Sequence, residues 1–523
     1  DQAASKYRQA LALQPGLTRA QFHLGLVYHD QDKLHDALHA LQKTVALQPD
    51  LVLAHVKMAA VLHELGRYGE ERLAYRQAIK LDPGCMMAHS GLLFSLGDDP
   101  KCSPADYLQQ AAVFSQSALA LAQPYQDWPA LQQWRPGAPL RIGFVSGDLR
   151  RHPVGYFLES LLAHIDHSRF ELVAYSIQPL EDEMTARLKP YFSAWRSLPM
   201  LAMDDATAAQ QIHDDNIHIL IDLGGHTRFN RLSTFAWKPA PVQLSWLGYF
   251  ASTAAPGMDY VLVDPVSAPL AHQAHFTEQL LYLPETRLCF SPPAEAQALA
   301  PAAAPVLDNG HLTFGCFQNL RKINDRVLAL WSRVLAAIPA STLLIKNKQL
   351  QDSETRQTFV RQLADAGIAR ERVIMEGESS YRDYLEAYAD VDLMLDTFPF
   401  PGGTTTCEAL WMGVPTLTLI GDRLIGLQGA SMLSCVGLPE WIAVDEDDYV
   451  AKAVALSADT AALAQLRSGL RARMADSALI DGARFARHFE SALEQAWDKR
   501  RTTLMAANTG SSGLTRQPNQ TNS

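Results

Sequence analysis

The sequence predicts an all-helical repeat region followed by two doubly wound α/β halves, and three observations predict it. A Leu-x-Pro triplet returns every 34 residues near the front. From Leu140 onward, short apolar runs alternate with helical segments. A stretch rich in Pro and Ala, residues 291–306, interrupts that alternation once before it restarts. With 523 residues, 48% apolar and 19% charged, the chain has the size of about three or four globular domains.

The triplets are Leu13-Gln14-Pro15, Leu47-Gln48-Pro49 and Leu81-Asp82-Pro83. Ala20, Ala54 and Ala88 keep the same register, as do Ala10, Thr44 and Ala78. Between them apolar residues fall at helical spacing, as in Phe22, Leu24, Gly25, Leu26 and Tyr28. This period resembles tetratricopeptide repeats: small residues let two helices approach, and the Pro closes each unit. Such units stack into a curved surface that presents peptides, or they cover a face of the next domain. The helical region spans 1–122, and a connector rich in Pro and Trp, 123–139, closes it.

Five runs then read as strands: 140–146, 170–176, 218–223, 241–247 and 260–264. After the linker, which holds four Pro and seven Ala in 16 residues, five more follow at 312–317, 342–347, 373–376, 393–396 and 415–420. The first half with its linker is 140–306 and the second 307–505. Ligands of such sheets bind beyond the carboxyl ends of the strands, so both halves should face one cleft. The helical pattern at 481–500 is expected to pack back across the halves. Residues 506–523, rich in Gly, Ser, Asn, Gln and Thr, read as a mobile tail.

The most informative segment runs from Val391 to Pro415. An apolar strand ends at Asp396, a Pro/Gly turn follows, and Thr404-Thr405-Thr406 opens a helix that stops at Gly413. A helix N-terminus offers unpaired N–H donors and partial positive charge, which suits a phosphate. Gly402, Gly403, Thr404 and Thr405 therefore form the expected seat of a nucleotide diphosphate, and Glu408, one turn on, can accept hydrogen bonds from a ribose. Lys322, in Gln318-Asn319-Leu320-Arg321-Lys322, follows a strand end and would meet the same phosphate as a point cation. His152, in the loop after the first strand, is the first acid/base candidate. His226 in Gly224-Gly225-His226-Thr227, His213 on a helix and Tyr249 in Gly248-Tyr249-Phe250 are secondary candidates.

Several classes recede. A net charge of −11 argues against nucleic acid or an anionic membrane as partner. No apolar run reaches the roughly 20 residues that span a bilayer. The six cysteines form no CxxC pair and no spacing with His that fits a metal, as expected for free thiols in a reducing cytoplasm. Asp390-Val391-Asp392 matches a DxD metal motif, but it lies before its strand, at the edge opposite the cleft, so no metal site is expected. The sequence begins at Asp1 rather than Met and reads as cut at its N-terminus, which leaves a leader undecided.

Taken together, SGDLRRHPVGYF, IHILIDLGGHT, PVQLSWLGYFAST, QNLRKI and LDTFPFPGGTTTCEALWMGVP resemble the O-linked N-acetylglucosamine transferases of glycosyltransferase family 41, in a bacterial form, over about residues 1–500. The resemblance implies a GT-B fold and inverting, metal-independent transfer of N-acetylglucosamine from UDP to Ser or Thr of a polypeptide guided by the repeats. It places His152 on the acceptor side, Lys322 on the diphosphate with Thr404 and Thr405, Asn319 beside the nucleotide and Glu408 on the ribose. Animal members carry His where Gly403 stands and an aromatic where Arg321 stands. Two other functions fit the same pattern: a UDP-glucose-dependent N-glucosyltransferase, and a repeat scaffold that senses UDP-sugar without turnover.

Overall fold

Each 34-residue period folds as a pair of packed helices. Leu13, Leu47 and Leu81 are the last residues of helices Gln2–Leu13, Leu34–Leu47 and Tyr68–Leu81, and each Pro stands two residues beyond. The partner helices are Thr18–Asp30, Val52–Glu64 and Met86–Gly97. Ala54 and Ala88 are wholly buried, so two backbones can approach there. One hydrogen bond repeats with the period. The imidazole of His55 donates to the Pro49 carbonyl at 2.8 Å, and that of His89 to the Pro83 carbonyl at 2.9 Å. The computed structural model describes the backbone of residues 2–200 and 202–511 and side chains as far as residue 504. Among these residues no helix is long and apolar enough to cross a membrane.

Two parallel sheets follow. The first contains β1 (Leu140–Ser146), β2 (Phe170–Ser176), β3 (Ala194–Ser197), β4 (Ile219–Asp222), β5 (Val242–Ser245), β6 (Tyr260–Val263) and β7 (Gln279–Tyr282) in the order 3-2-1-4-5-6-7. The second contains β8 (Thr313–Cys316), β9 (Thr342–Lys346), β10 (Val373–Glu376), β11 (Leu393–Leu395), β12 (Thr416–Leu419) and β13 (Ile442–Ala443) in the order 10-9-8-11-12-13. Both sheets thus share the doubly wound order, with the direction of strand addition reversing between β1 and β4 and between β8 and β11. Repeats followed by two such lobes make the GT-B architecture that the resemblance implied.

Three short strands, β3, β7 and β13, fall outside the runs read as strands from the sequence. All three lie at sheet edges, where side chains meet solvent. The stretch 291–306 is a bound strap rather than a free linker. Trp411 Nε1 donates to Ala296 O at 3.1 Å, and Arg471 donates to Leu299 O at 2.6 Å. Arg467, itself buried, reaches Ala302 O, Ala303 O and Val391 O. The strap's Pro and Ala residues leave carbonyls without a ladder, and two arginines supply the donors.

The long C-terminal helix Gly482–Ser511 leaves the second lobe and returns to the first. Phe489 lies 5.0 Å from Trp246, and Glu490 accepts from Asp166 N at 2.8 Å and from Arg169 at 3.1 Å. It runs as helix into the start of the stretch read as a tail; residues 512–523 lie outside the described residues.

Asp392 of the DxD triplet is wholly buried, with Oδ1 accepting Val306 N and Oδ2 accepting Thr313 N, both at 2.9 Å. It clamps the strap to β8. Asp392→Asn turns one acceptor into a donor facing an N–H, so denaturant titration should show a loss of about 1–3 kcal/mol. Activity of the folded variant should be equally indifferent to EDTA and to added Mn²⁺; rescue by the cation would refute this role.

Candidate active site

Loops from the carboxyl ends of both sheets meet across a cleft. Phe250, beyond β5, lies 5.7 Å from Phe400, beyond β11. The Arg151 guanidinium, beyond β1, stands 4.9 Å over the ring of Tyr381, beyond β10. Ser431 of the second lobe donates to Asp264 of the first at 3.0 Å.

On the second lobe the cleft is built around Asp396. Its Oδ1 accepts the N–H of Thr397 at 2.9 Å and of Gly402 at 2.8 Å, and its Oδ2 accepts the Thr418 hydroxyl at 2.8 Å. These bonds fold residues 397–403 back over the strand end, and the helix Thr404–Trp411 starts where that turn closes. Burial raises the Asp396 pKa, opposed by its hydrogen bonds and by Lys322. A Cβ on Gly402 would come within 2.3 Å of both Gln318 Nε2 and Thr406 Oγ1, so only glycine fits. Gly403 meets only the amide of Gln428, at 3.1 Å. The buried hydroxyl oxygens of Thr404 and Thr406 have no hydrogen-bond partner among the described residues. Unspent hydroxyls beside the open N–H groups of a helix start are the donor set an anionic oxygen requires.

Lys322 completes the seat. Its Nζ donates to Pro401 O at 2.9 Å and lies 3.7 Å from the centroid of the Phe400 ring. Burial first, and then the neighbouring Arg321 cation, bring its pKa down to about 7, with Asp396 and Asp98 opposing. Asn319 caps the short turn that carries Lys322, its Oδ1 accepting Arg321 N at 3.0 Å. Glu408 is buried one turn into the helix, and its two oxygens accept from Tyr381 at 2.7 Å and Tyr384 at 3.0 Å. Burial raises its pKa to about 7, against those hydrogen bonds. Each of its oxygens retains a lone pair for a ribose hydroxyl.

His152 is the half-buried N-cap of the helix Pro153–His164. Its Nδ1 accepts Val154 N at 3.3 Å and lies 3.8 Å from Asp148. Burial lowers its pKa. With Nδ1 committed as an acceptor, the neutral ring carries its proton on Nε2 and offers a donor, not a base.

The secondary candidates sit elsewhere. His226 is wholly buried between the repeats and the first lobe, its Nε2–H on Thr253 O at 2.8 Å and its Nδ1 accepting from Ser90 at 3.1 Å. Burial brings its pKa to about 3, so it stays neutral. The Tyr249 hydroxyl pairs with that of Tyr107, at 2.8 Å, inside the same interface. His213 ends the helix Asp205–Asp214, stacked 4.0 Å from Tyr125 of the connector, at the edge opposite the cleft. The structure thus gathers Asn319, Lys322, Gly402, Gly403, Thr404, Thr405 and Glu408 into one seat, with His152 on the facing lobe, and leaves those three apart. Sequence reasoning missed Asp396, Gln318, Arg151, Tyr381 and Tyr384; the Tyr381-x-x-Tyr384-x-x-x-Tyr388 spacing was the available signal for an aromatic helix face.

Comparison with known proteins places this geometry. The model of glycosyl transferase family 41 matches residues 85–290 and 297–489, which takes in nearly all of both lobes. The chain belongs to glycosyl transferase family 41. A tetratricopeptide repeat model matches residues 53–85. The Oryza sativa subsp. japonica protein named as a probable UDP-N-acetylglucosamine–peptide N-acetylglucosaminyltransferase SPINDLY is 40% identical over 364 residues, 69% of this chain and 39% of that protein. Its Solanum lycopersicum counterpart is 38% identical over 394 residues, 72% of this chain and 42% of that one. The chain spans about two fifths of the length of these relatives. A mutant O-GlcNAc transferase of Thermobaculum terrenum has the same fold with a TM-score of 0.89 at 33% identity, covering 96% of this chain and 94% of that one.

The seat makes unequal demands on its two glycines. Gly402→Ala overpacks it by about 1–3 kcal/mol, so denaturant titration should show a loss of that size. Gly403→Ala needs only a small shift of the Gln428 amide and should stay within about 1 kcal/mol of the parent in the same titration.

Proposed function

We propose that this family 41 chain transfers N-acetylglucosamine from UDP-N-acetylglucosamine to Ser or Thr hydroxyls of polypeptides, with inversion at the anomeric carbon. One observation carries the reading. A lysine and a helix start with unspent donors converge on one point of an interlobe cleft. The names of the family's solved and curated relatives supply the sugar and the acceptor.

In this mechanism the acceptor oxygen attacks C1 from the side of the first lobe while the bond from C1 to the β-phosphate oxygen breaks. The acceptor hydroxyl proton passes to solvent with that step, and the electron pair of the broken bond stays as negative charge on the departing UDP. Lys322, the N–H groups at Thr404 and Thr405 and the threonine hydroxyls meet that charge where it develops. His152 donates from Nε2 to an oxygen on the acceptor side. Glu408 takes the ribose hydroxyls. The charge of the diphosphate is balanced by these groups, so no step is routed through a metal.

Two tests separate this reading from its rivals. Lys322→Ala should cost about 2–4 kcal/mol in kcat/KM. Transfer to a peptide, followed by mass spectrometry with UDP-N-acetylglucosamine, UDP-glucose and guanosine-diphosphate sugars, should select the first; another donor, an asparagine product or binding without turnover would overturn the assignment.

The pH profile of donor binding also follows. The diphosphate of a UDP-sugar stays ionised near neutrality, so the protein groups set the curve. Glu408 must be ionised to accept, so affinity should rise with pH up to about 7. Lys322 must be protonated, so affinity should fall with pH above about 7. Glu408→Gln should abolish the acid limb alone, as read by calorimetry across that range.

A further inference from the structure

Arg321 stands immediately before Lys322 and is held almost wholly by the repeats. Its Nη1 donates to Asp98 Oδ2 at 3.1 Å and to His63 Nε2 at 3.0 Å, and its backbone carbonyl accepts the Tyr68 hydroxyl at 2.5 Å. Its guanidinium lies 5.5 Å over Phe94 of the repeats and 5.2 Å over Phe400 of the seat. Phe400 is the ring on which Lys322 rests. A guanidinium can only donate, so His63 Nε2 must accept. Its Nδ1–H then donates to Glu71, at 3.0 Å, which also accepts from Ser95 at 2.9 Å. A cavity of about 170 Å³ is lined by Tyr68, Asp98, Arg321, Lys322 and Phe400 together, so the repeats and the phosphate lysine share one wall.

We propose that Asp98 and His63 of the helical repeats are positioning residues for the diphosphate lysine, acting through Arg321. This rests on the reading of Lys322 as the diphosphate's cation. The groups that face Lys322 are the Arg321 cation on its own turn, the Asp396 carboxylate from the end of β11, the Cys316 thiol of β8 and the Asp98 carboxylate from the repeats. Asp98 offsets the charge of Arg321, and Arg321 and Lys322 both lie against the Phe400 ring. Loosening this contact leaves the lysine beside an uncompensated cation on a ring that is no longer pinned.

The test is calorimetric binding of UDP-N-acetylglucosamine from pH 6 to 9, with thermal unfolding as a check on folding. The two charge variants carry opposite signs. Asp98→Asn should move the alkaline midpoint of binding toward acid, and Arg321→Met should move it toward base. A shift of half a unit to one unit is about threefold to tenfold in affinity above the midpoint. Asp98→Glu should restore the parent midpoint, and so should His63→Gln, whose amide oxygen can accept from Arg321; His63→Leu should behave like Asp98→Asn. A purely structural contact would lower the unfolding temperature in all of these and leave the midpoint in place. Midpoints that fail to move in opposite directions in Asp98→Asn and Arg321→Met overturn the proposal. Lys322→Met separates this from the parent reading: parental binding in that variant refutes the diphosphate lysine itself. Loss of binding there, with unmoved midpoints in the charge variants, refutes only the coupling to the repeats.

Discussion

Asp396 accepts two backbone N–H groups and one hydroxyl at the end of β11, and those bonds bend residues 397–403 into a turn with its donors facing the cleft. The first lobe uses the same device at the same topological position. Asp222 ends β4, the counterpart of β11, and is wholly buried. It accepts the N–H groups of Gly224 at 3.1 Å and Gly225 at 2.8 Å and the hydroxyl of Ser245, on the next strand, at 3.1 Å. In both sheets the carboxylate sits at the point where strand order reverses, and in both its hydroxyl partner comes from the adjacent inner strand. Burial raises the pKa of both carboxylates. A buried carboxylate is tolerated because it is fully hydrogen-bonded, and it fixes a glycine loop that no regular ladder could hold.

The two loops then diverge in use. On the second lobe the glycine turn opens to the cleft and keeps unspent hydroxyls. On the first lobe the repeats close over it: Ser90 reaches His226, Phe114 packs edge-on to that ring, and Tyr107 meets Tyr249. Gly225 lies so close to Tyr249 that an added Cβ would stand 2.1 Å from its Cβ. The repeats therefore do structural work on the first lobe and reach the second through Arg321 and Arg423, which donates to Asp99 O at 3.4 Å. Three bodies touch near one seat, so motion of the repeats cannot be independent of the cleft.

This division explains what the sequence could and could not disclose. The central strands were legible because burial on both faces demands continuous apolar runs, as in 140–146 and 342–347. The edge strands β3, β7 and β13 were not, because each is only two to four residues long and Ala443 is the one fully buried residue among them. The glycine turn and the helix start at Thr404 were legible because glycines, threonines and a preceding strand are a local pattern. His226 looked equally promising, since Gly-Gly-His-Thr also follows a strand end. Which part of a sheet's carboxyl edge is roofed by another domain depends on contacts more than 130 residues away in sequence, as between Ser90 and His226. Asp392 misled for a related reason. Its spacing to Asp390 fits a metal, while its actual partners are backbone groups of Val306 and Thr313.

The charge state of Lys322 ties these layers together. Its desolvation costs folding stability; that cost is complete below about pH 7 and vanishes above the unfolded lysine's value of 10.5. Asp396 cannot fully offset it, because its own oxygens are already spent on the turn. The imbalance is useful at the seat. In the proposed reaction, a diphosphate that arrives beside a half-protonated lysine draws a proton onto it, and the charge that develops as the sugar departs strengthens the same contact further. An interaction that grows toward the transition state accelerates the chemical step, whereas a lysine already satisfied by a salt bridge would have to surrender a partner first. Pinning the adjacent Arg321 to the repeats keeps its cation from collapsing into the seat, which leaves the lysine as the group that answers to the ligand.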